Sequence, residues 1–277
     1  MYTAGCSHSL SCEKWKTGCC KCPQINKLRP KSWFFDRSAS EWHKMENAFH
    51  NFDTLIVCAV SDWVKDRAKQ SPFFQNKKVI TVLNGLDTDV FQWRDTVEMR
   101  RNMQLENIKV VLHVTPNFRS AIKGGVYVLE LAQRFEGEPV VFIVLGANYK
   151  SGKLPCNMLF IPHINDQLML AKYYAMADVC LLTSQRETFS MVCAESLCCG
   201  TPIVGFEAGG PETISLRAYS EFVPQGNLDM LESALRHCLE SKTSAVAIQY
   251  QAHECYNRNR MYDDYLRIYM KNNNVCY

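Results

Sequence analysis

Glu187 and Glu195 flank an apolar run in the stretch RETFSMVCAESLCCGTPIVGF, residues 186–206. Carboxylates accept hydrogen bonds from hydroxyl groups, so two of them near one crevice could hold a polyhydroxylated ligand. Glu187 falls in the loop after the apolar segment DVCLLTS (178–184). Glu195 falls within the helix that this loop leads into, about one and a half turns on. Val192, Ala194 and Leu197 beside it are apolar, so Glu195 borders buried structure and needs partners. The two hydroxyls of a ribose would serve; so would backbone amides or a lysine. Thr188, Phe189 and Ser190 lead into the helix, whose first N–H groups have no partner within it.

A second group stands in PNFRSAIKGG (116–125), where Arg119 and Lys123 lie beside Gly124 and Gly125 at a predicted helix start. Glycine lets main-chain N–H groups approach an anion, the helix dipole favours it, and basic side chains add charge-assisted bonds. The pattern fits phosphate binding or a solvated loop. A third, EAGGPETI (207–214), sets Gly209 and Gly210 before a proline at a first helical position, as an anion site or a tight turn.

These loops need a frame. Apolar strands are predicted at 53–60, 77–83, 110–115, 139–146, 157–163, 178–184, 201–206 and 221–224. Helices are predicted at 61–70, capped by Ser61, and at 93–106, 124–135, 166–177, 189–199, 211–218, 228–240 and on to Tyr269. The first 50 residues read as irregular. Strands that are apolar throughout and alternate with helices predict a parallel sheet covered on both faces, a doubly wound α/β domain of Rossmann-like type. Such sheets bind ligands at the carboxyl ends of their strands, where all three loops fall.

The chain has 277 residues, 47% hydrophobic and 21% charged, enough for one or two globular domains. A net charge of +3 gives no argument for nucleic acid. No apolar run reaches the length of a membrane span, and the first residues lack an apolar signal core. With 14 cysteines, several inside apolar runs (Cys180, Cys193, Cys198, Cys199), the composition fits free thiols in a reducing cytoplasm. Cys6, His8, Cys12, Cys19, Cys20 and Cys22 cluster near the start; Cys19 and Cys22 have the spacing of a zinc pair, but the remaining spacings fit no finger, and free thiols are the preferred reading. Trp33, Phe34, Phe35 and Trp42 are expected to pack, as are the tyrosines of the amphipathic segment 258–271. Basic residues in 14–31 form a solvated face or a peripheral contact with membrane lipid.

Lys123-Gly124, Glu187, seven residues, Glu195 and CCGTPIVGFEAGGPETI together resemble the retaining, nucleotide-sugar-dependent glycosyltransferases of the two-domain GT-B fold, specifically the large family-four group. The resemblance covers roughly 53–270. GCSHSLSCEKWKTGCCKCPQI (5–25) and KSWFFDRSASEWHKMENAF (31–49) resemble a subgroup from capsule and colanic-acid clusters, and NGLDTDVF (84–91) resembles the signature that ends the amino-terminal domain. The resemblance implies a complete Rossmann-like donor domain at 94–258, a partial amino-terminal acceptor domain at 1–93, and a helix at 259–277 crossing back to the first domain. Full members begin roughly 100 residues earlier, so an amino-terminal truncation, with transfer by this chain alone impaired, is the expectation. It also implies roles. Lys123, with Arg119, would neutralise the donor diphosphate beside Gly124; in many members the Arg stands five residues before the Lys, and here the gap is four. Glu187 would contact the donor sugar; Thr188, Phe189 and Ser190 would offer N–H groups; Glu195 would hold the ribose. The base would lie near Pro162, His163 and Ile164. No metal or other cofactor is implied. The partners would be a nucleotide-sugar donor and a glycan or lipid-linked acceptor at the inner face of the membrane. A non-catalytic nucleotide-sugar binder, a subunit of a split transferase, or a nucleotide-sugar epimerase are the alternatives.

Overall fold

The computed structural model describes residues 12–23, 35–52, 54–147 and 154–273. The chain divides into two compact units at Leu83–Asn84, ahead of the 93/94 boundary read from the sequence.

In the first unit a 3-10 turn at Lys14–Lys16 is followed by α1 (Ser38–His50), β1 (Ile56–Ala59), α2 (Asp62–Lys69) and β2 (Lys78–Thr81). β1 and β2 pair in parallel, and Ser61 caps α2 by accepting from Val64 N–H. The expectation of an irregular first 50 residues fails at α1. Trp42, Met45 and Phe49 fall on one helical face there and join Trp15, Phe73, Phe74 and Val79 in a small core. The Trp42 indole N–H donates to the Trp15 carbonyl at 2.9 Å, which gives a buried polar atom its partner. Phe35, expected to pack, is 73% exposed. Trp33 and Phe34 lie outside the described residues.

The second unit carries the predicted doubly wound sheet. Its elements are α3 (Val97–Asn102), β3 (Lys109–Val114), α4 (Gly125–Arg134), β4 (Val140–Leu145), β5 (Met158–Ile161), α5 (Gln167–Met176), β6 (Val179–Leu182), α6 (Met191–Cys198), β7 (Ile203–Phe206), α7 (Pro211–Ile214), β8 (Ser220–Val223), α8 (Leu228–Glu240), α9 (Ala245–Tyr256) and α10 (Arg258–Asn273). Six parallel strands stand in the order β5-β4-β3-β6-β7-β8. The chain steps outward from β3 to β5, then returns through α5 to the other side of β3. Right-handed crossovers in the two directions put the intervening helices on opposite faces. α4 and α8 accordingly bury Val128, Leu131, Leu231 and Leu235 against Phe142, Val144, Leu181 and Val204 in one core. The alternate strand residues Leu112 and Ile143 face the other way and are equally buried, with α5 and α6 packed on the sheet.

Two expected helices are shorter. PETISLRA forms only the four residues of α7 before a 3-10 turn at Arg217–Tyr219. The carboxyl-terminal helix breaks at Asn257, where Leu86 N–H donates to Tyr256 O (2.6 Å) and Arg258 N–H donates to Leu86 O (3.0 Å). A side chain at Gly85 would collide with the Arg258 backbone, so glycine lets NGLDTDVF dock on this break. On α10, Tyr262 and Tyr269 are 61% and 62% exposed, against the expectation that these rings pack. Among the described residues no helix is long and apolar enough to cross a membrane.

Candidate functional site

The order of the sheet reverses between β3 and β6, and ligands of such sheets bind outside the carboxyl ends of the strands at this switch point. The loops after these two strands carry Arg119, Lys123 and Gly124 on one side and Glu187 on the other. They are laced together: Thr183 Oγ donates to Lys123 O (2.9 Å), and Gln185 N–H donates to Ile122 O (2.8 Å). Gly124 has φ +70°, and a Cβ there would strike the Thr183 carbonyl, so both conformation and close approach require glycine. This lacing brings the Lys123 ammonium to 2.6 Å from Glu187 Oε1, with the two side chains 33% and 21% exposed. Arg119 is exposed on the same loop.

The Glu187 loop is clamped from a third side. Glu187 N–H donates to Ala208 O and Gly210 N–H donates to Glu187 O, both at 2.9 Å. A Cβ at Gly210 would collide with the Thr188 carbonyl, so the glycine pair lets the two loops lie against each other. Glu212 completes this clamp, accepting from Ala208 N–H (3.1 Å) and Gly209 N–H (2.7 Å). Its position in the first turn of α7, three residues after Gly209, was the available signal for this role.

Ser190 caps α6 with φ +72°, a strained conformation for a residue with a Cβ, and its Oγ accepts from Cys193 N–H. No protein hydrogen bond among the described residues uses the N–H of Phe189 or Ser190. The Phe189 ring is buried and stacks edge-on with Tyr256. Thr188 is half-buried.

Glu195 is half-buried on α6, and its Oε2 accepts from the Tyr174 phenol at 2.8 Å. Burial raises its pKa above the ordinary carboxylate range, while the Tyr174 hydrogen bond works in the opposite direction. Tyr174 is fully buried, and its phenol is held well above its usual pKa, first by burial and then by the neighbouring Glu195.

His163 and Ile164 follow β5, an edge strand separated from β3 by β4, so they sit farther along the carboxyl-end rim. His163 is exposed and Ile164 half-buried; Asp166 next to them caps α5. One polar residue at the switch point carried no signal in its spacing. His113 on β3 is 3% exposed, and its Nδ1–H donates to Leu181 O at 3.0 Å. Burial, with Lys123 nearby, lowers its pKa to about 4, so it stays neutral.

Cys180, Cys193, Cys198 and Cys199 are all fully buried, and burial raises their pKa values, that of Cys193 to about 12. Buried thiols of this kind are packing groups, not nucleophiles. Cys12, Cys19, Cys20 and Cys22 are reduced thiols; Cys6 and His8 lie outside the described residues. Among the described residues no group of three His, Cys, Asp or Glu side chains could hold a metal ion.

Solved structures share this Rossmann-like fold. The fold matches HepE of Anabaena, solved with UDP-glucose, at a TM-score of 0.67 and 18% identity over 84% of this chain and 68% of that one. It matches a glycosyltransferase of Rickettsia africae at 0.69 and 17% identity over 82% and 66%. The architecture is therefore α/β and GT-B-like. The model of the family "Glycosyl transferases group 1" matches residues 99–254, more than half of the sequence, and the chain belongs to that family. Among curated proteins, N-acetyl-alpha-D-glucosaminyl L-malate synthase of Bacillus anthracis is 29% identical over 50% of this chain and 38% of its own length. D-inositol 3-phosphate glycosyltransferase of Geodermatophilus obscurus is 27% identical over 50% and 34%. The match thus spans little more than a third of either relative.

Proposed function

We propose that the second unit is the donor domain of a retaining glycosyltransferase that uses a nucleotide-sugar donor. The observation that carries this reading is the Lys123–Glu187 pair at the switch point, 2.6 Å apart, with Glu195 on the helix that follows. In this reading Lys123, with Arg119, binds the diphosphate beside Gly124, and Glu187 accepts from hydroxyls of the donor sugar. The N–H groups of Thr188, Phe189 and Ser190 take sugar or phosphate oxygens at the start of α6. Glu195 holds the ribose, and His163 and Ile164 border the base. As the bond from the sugar to the diphosphate breaks, negative charge gathers on the leaving phosphate. A fixed ammonium and fixed amides stabilise that charge without reorganising, so basic side chains stand where other transferases use a metal. Front-face attack by the acceptor, with the departing phosphate taking its proton, would give retention.

The acceptor would be a glycan or a lipid-linked glycan. The setting would be surface polysaccharide synthesis of the capsule and colanic-acid type, in the cytoplasm at the inner face of the membrane. Support for a sugar-nucleotide comes from the UDP-glucose named for HepE.

Thermal shift with UDP, GDP and ADP, on this chain and on Glu195→Ala, tests the donor site. One nucleotide raises the melting temperature, and the variant loses the effect. No shift with any of the three would remove the donor-site reading.

A further inference from the structure

We infer that Tyr174 is a positioning residue for nucleotide recognition: its phenol holds Oε2 of Glu195, so that Oε1 is the oxygen that meets the ribose. The inference rests on the reading of Glu195 as the ribose ligand and assigns the division of labour between its two oxygens.

The geometry is specific. Tyr174 sits near the end of α5 with none of its surface exposed. The residue is held at its main chain and at its phenol. Thr201 Oγ donates to the Tyr174 carbonyl at 2.6 Å, and the phenol O–H donates to Glu195 Oε2 at 2.8 Å. A buried phenol needs an acceptor, and a buried carboxylate needs a donor, so each meets the other's requirement. Among the described residues Oε1 of Glu195 has no protein partner. One oxygen is therefore anchored from inside the protein and the other is left for a ligand donor. A ribose offers two adjacent hydroxyls, and one carboxylate oxygen has lone pairs for both.

The choice of tyrosine as anchor has a chemical logic. A lysine there would neutralise Glu195 and compete with the ribose for it. A phenol donates one hydrogen bond, carries no charge, and stays protonated at any working pH. The other titratable groups facing Glu195 are Cys180 from β6, Cys198 at the end of α6 and Cys199 just after it, and burial keeps all three neutral thiols. Tyr174 is thus the one neighbour among the described residues that donates to the carboxylate and favours its ionised form.

The test uses whichever of UDP, GDP and ADP binds, alongside its 2′,3′-dideoxy counterpart. Isothermal titration is run on the whole chain, on Tyr174→Phe and on Glu195→Ala. Tyr174→Phe keeps the ring and removes only the donor. It is expected to weaken the ribonucleotide about tenfold, near the low end for a hydrogen bond to a charged group. The dideoxy nucleotide should change less than twofold. The low-pH limit of ribonucleotide binding should also move upward, by about one pH unit for a tenfold loss of preference for the ionised form. An equal loss with both nucleotides would mean that Tyr174 only supports the fold, and no loss would mean that it does nothing for the site; either overturns the inference. If Glu195→Ala still discriminates ribose from dideoxyribose, the reading of Glu195 itself falls, and this inference with it.

Discussion

Replacing Glu187 by glutamine separates binding of the diphosphate from binding of the sugar. In the structure Lys123 is engaged by Glu187 at 2.6 Å, and a donor diphosphate must share or take that ammonium. The gross attraction of such a pair at an effective dielectric of 20 is about 6 kcal/mol. Desolvation and the ordering of two side chains, here 33% and 21% exposed, offset most of it, leaving a net of about 1 kcal/mol for a pair this close to solvent. Glu187→Gln keeps the shape, removes the competitor for Lys123, and removes an anion from beside the phosphates. The nucleoside diphosphate alone should therefore bind roughly fivefold more tightly, the equivalent of about 1 kcal/mol. The nucleoside without phosphates should be unchanged, and the full nucleotide-sugar should gain less than the diphosphate, because its sugar loses a carboxylate acceptor. Isothermal titration of the three ligands against both proteins reads the pattern. A diphosphate that binds Glu187→Gln more weakly than the parent would refute the reasoning, since Glu187 would then be aiding the diphosphate.

The lacing of the two loops makes Gly124→Ala costly. A Cβ meets the Thr183 carbonyl at φ +70°, so a loss of about 1–3 kcal/mol is expected, read as a lower melting temperature with weakened diphosphate binding. Glu212→Ala strips the acceptor from two N–H groups, those of Ala208 and Gly209. It should cost roughly 1–3 kcal/mol in denaturant unfolding and loosen the Glu187 loop. His113 gives a pH signature. Its folded pKa lies near 4 and its ordinary value is 6.5, so the unfolded chain takes up its proton first as pH falls. Stability is unaffected by it above pH 6.5 and drops by roughly 3 kcal/mol between pH 6.5 and 4. His113→Gln should flatten that part of the stability–pH curve, and an unchanged slope would argue against a neutral buried imidazole.

The sheet was legible because its strands are apolar from end to end. VVLHVT, PVVFIVLG, DVCLLTS and TPIVGF leave no face for solvent, and they became β3, β4, β6 and β7. Caps were legible from local signals: Ser61 and the proline at 211 each act within a turn of their own position. What the spacing did not show is set by tertiary contact. Tyr174 stands 21 residues before Glu195, and nothing in DQLMLAKYYAMA says which tyrosine turns its phenol toward α6. His113 sits in an apolar strand and reads as an interruption until its Leu181 partner on β6 is known. Glu212 was readable, since a carboxylate in a first turn is a common cap. α1 was missed although Trp42, Met45 and Phe49 have helical spacing, because polar residues fill the rest of the segment and only one narrow stripe is apolar. The exposed rings of Tyr262 and Tyr269 show the limit of the converse argument: an amphipathic pattern gives a helix and does not give what covers it.

The most direct test of a donor site at the β3–β6 switch point is a crystal structure of the chain with the nucleoside diphosphate that binds it. A donor site here requires the phosphates within hydrogen-bond distance of the Lys123 ammonium and the ribose hydroxyls on Glu195 Oε1, with Tyr174 still on Oε2. A nucleotide bound elsewhere, or bound here with its ribose turned away from Glu195, would contradict it.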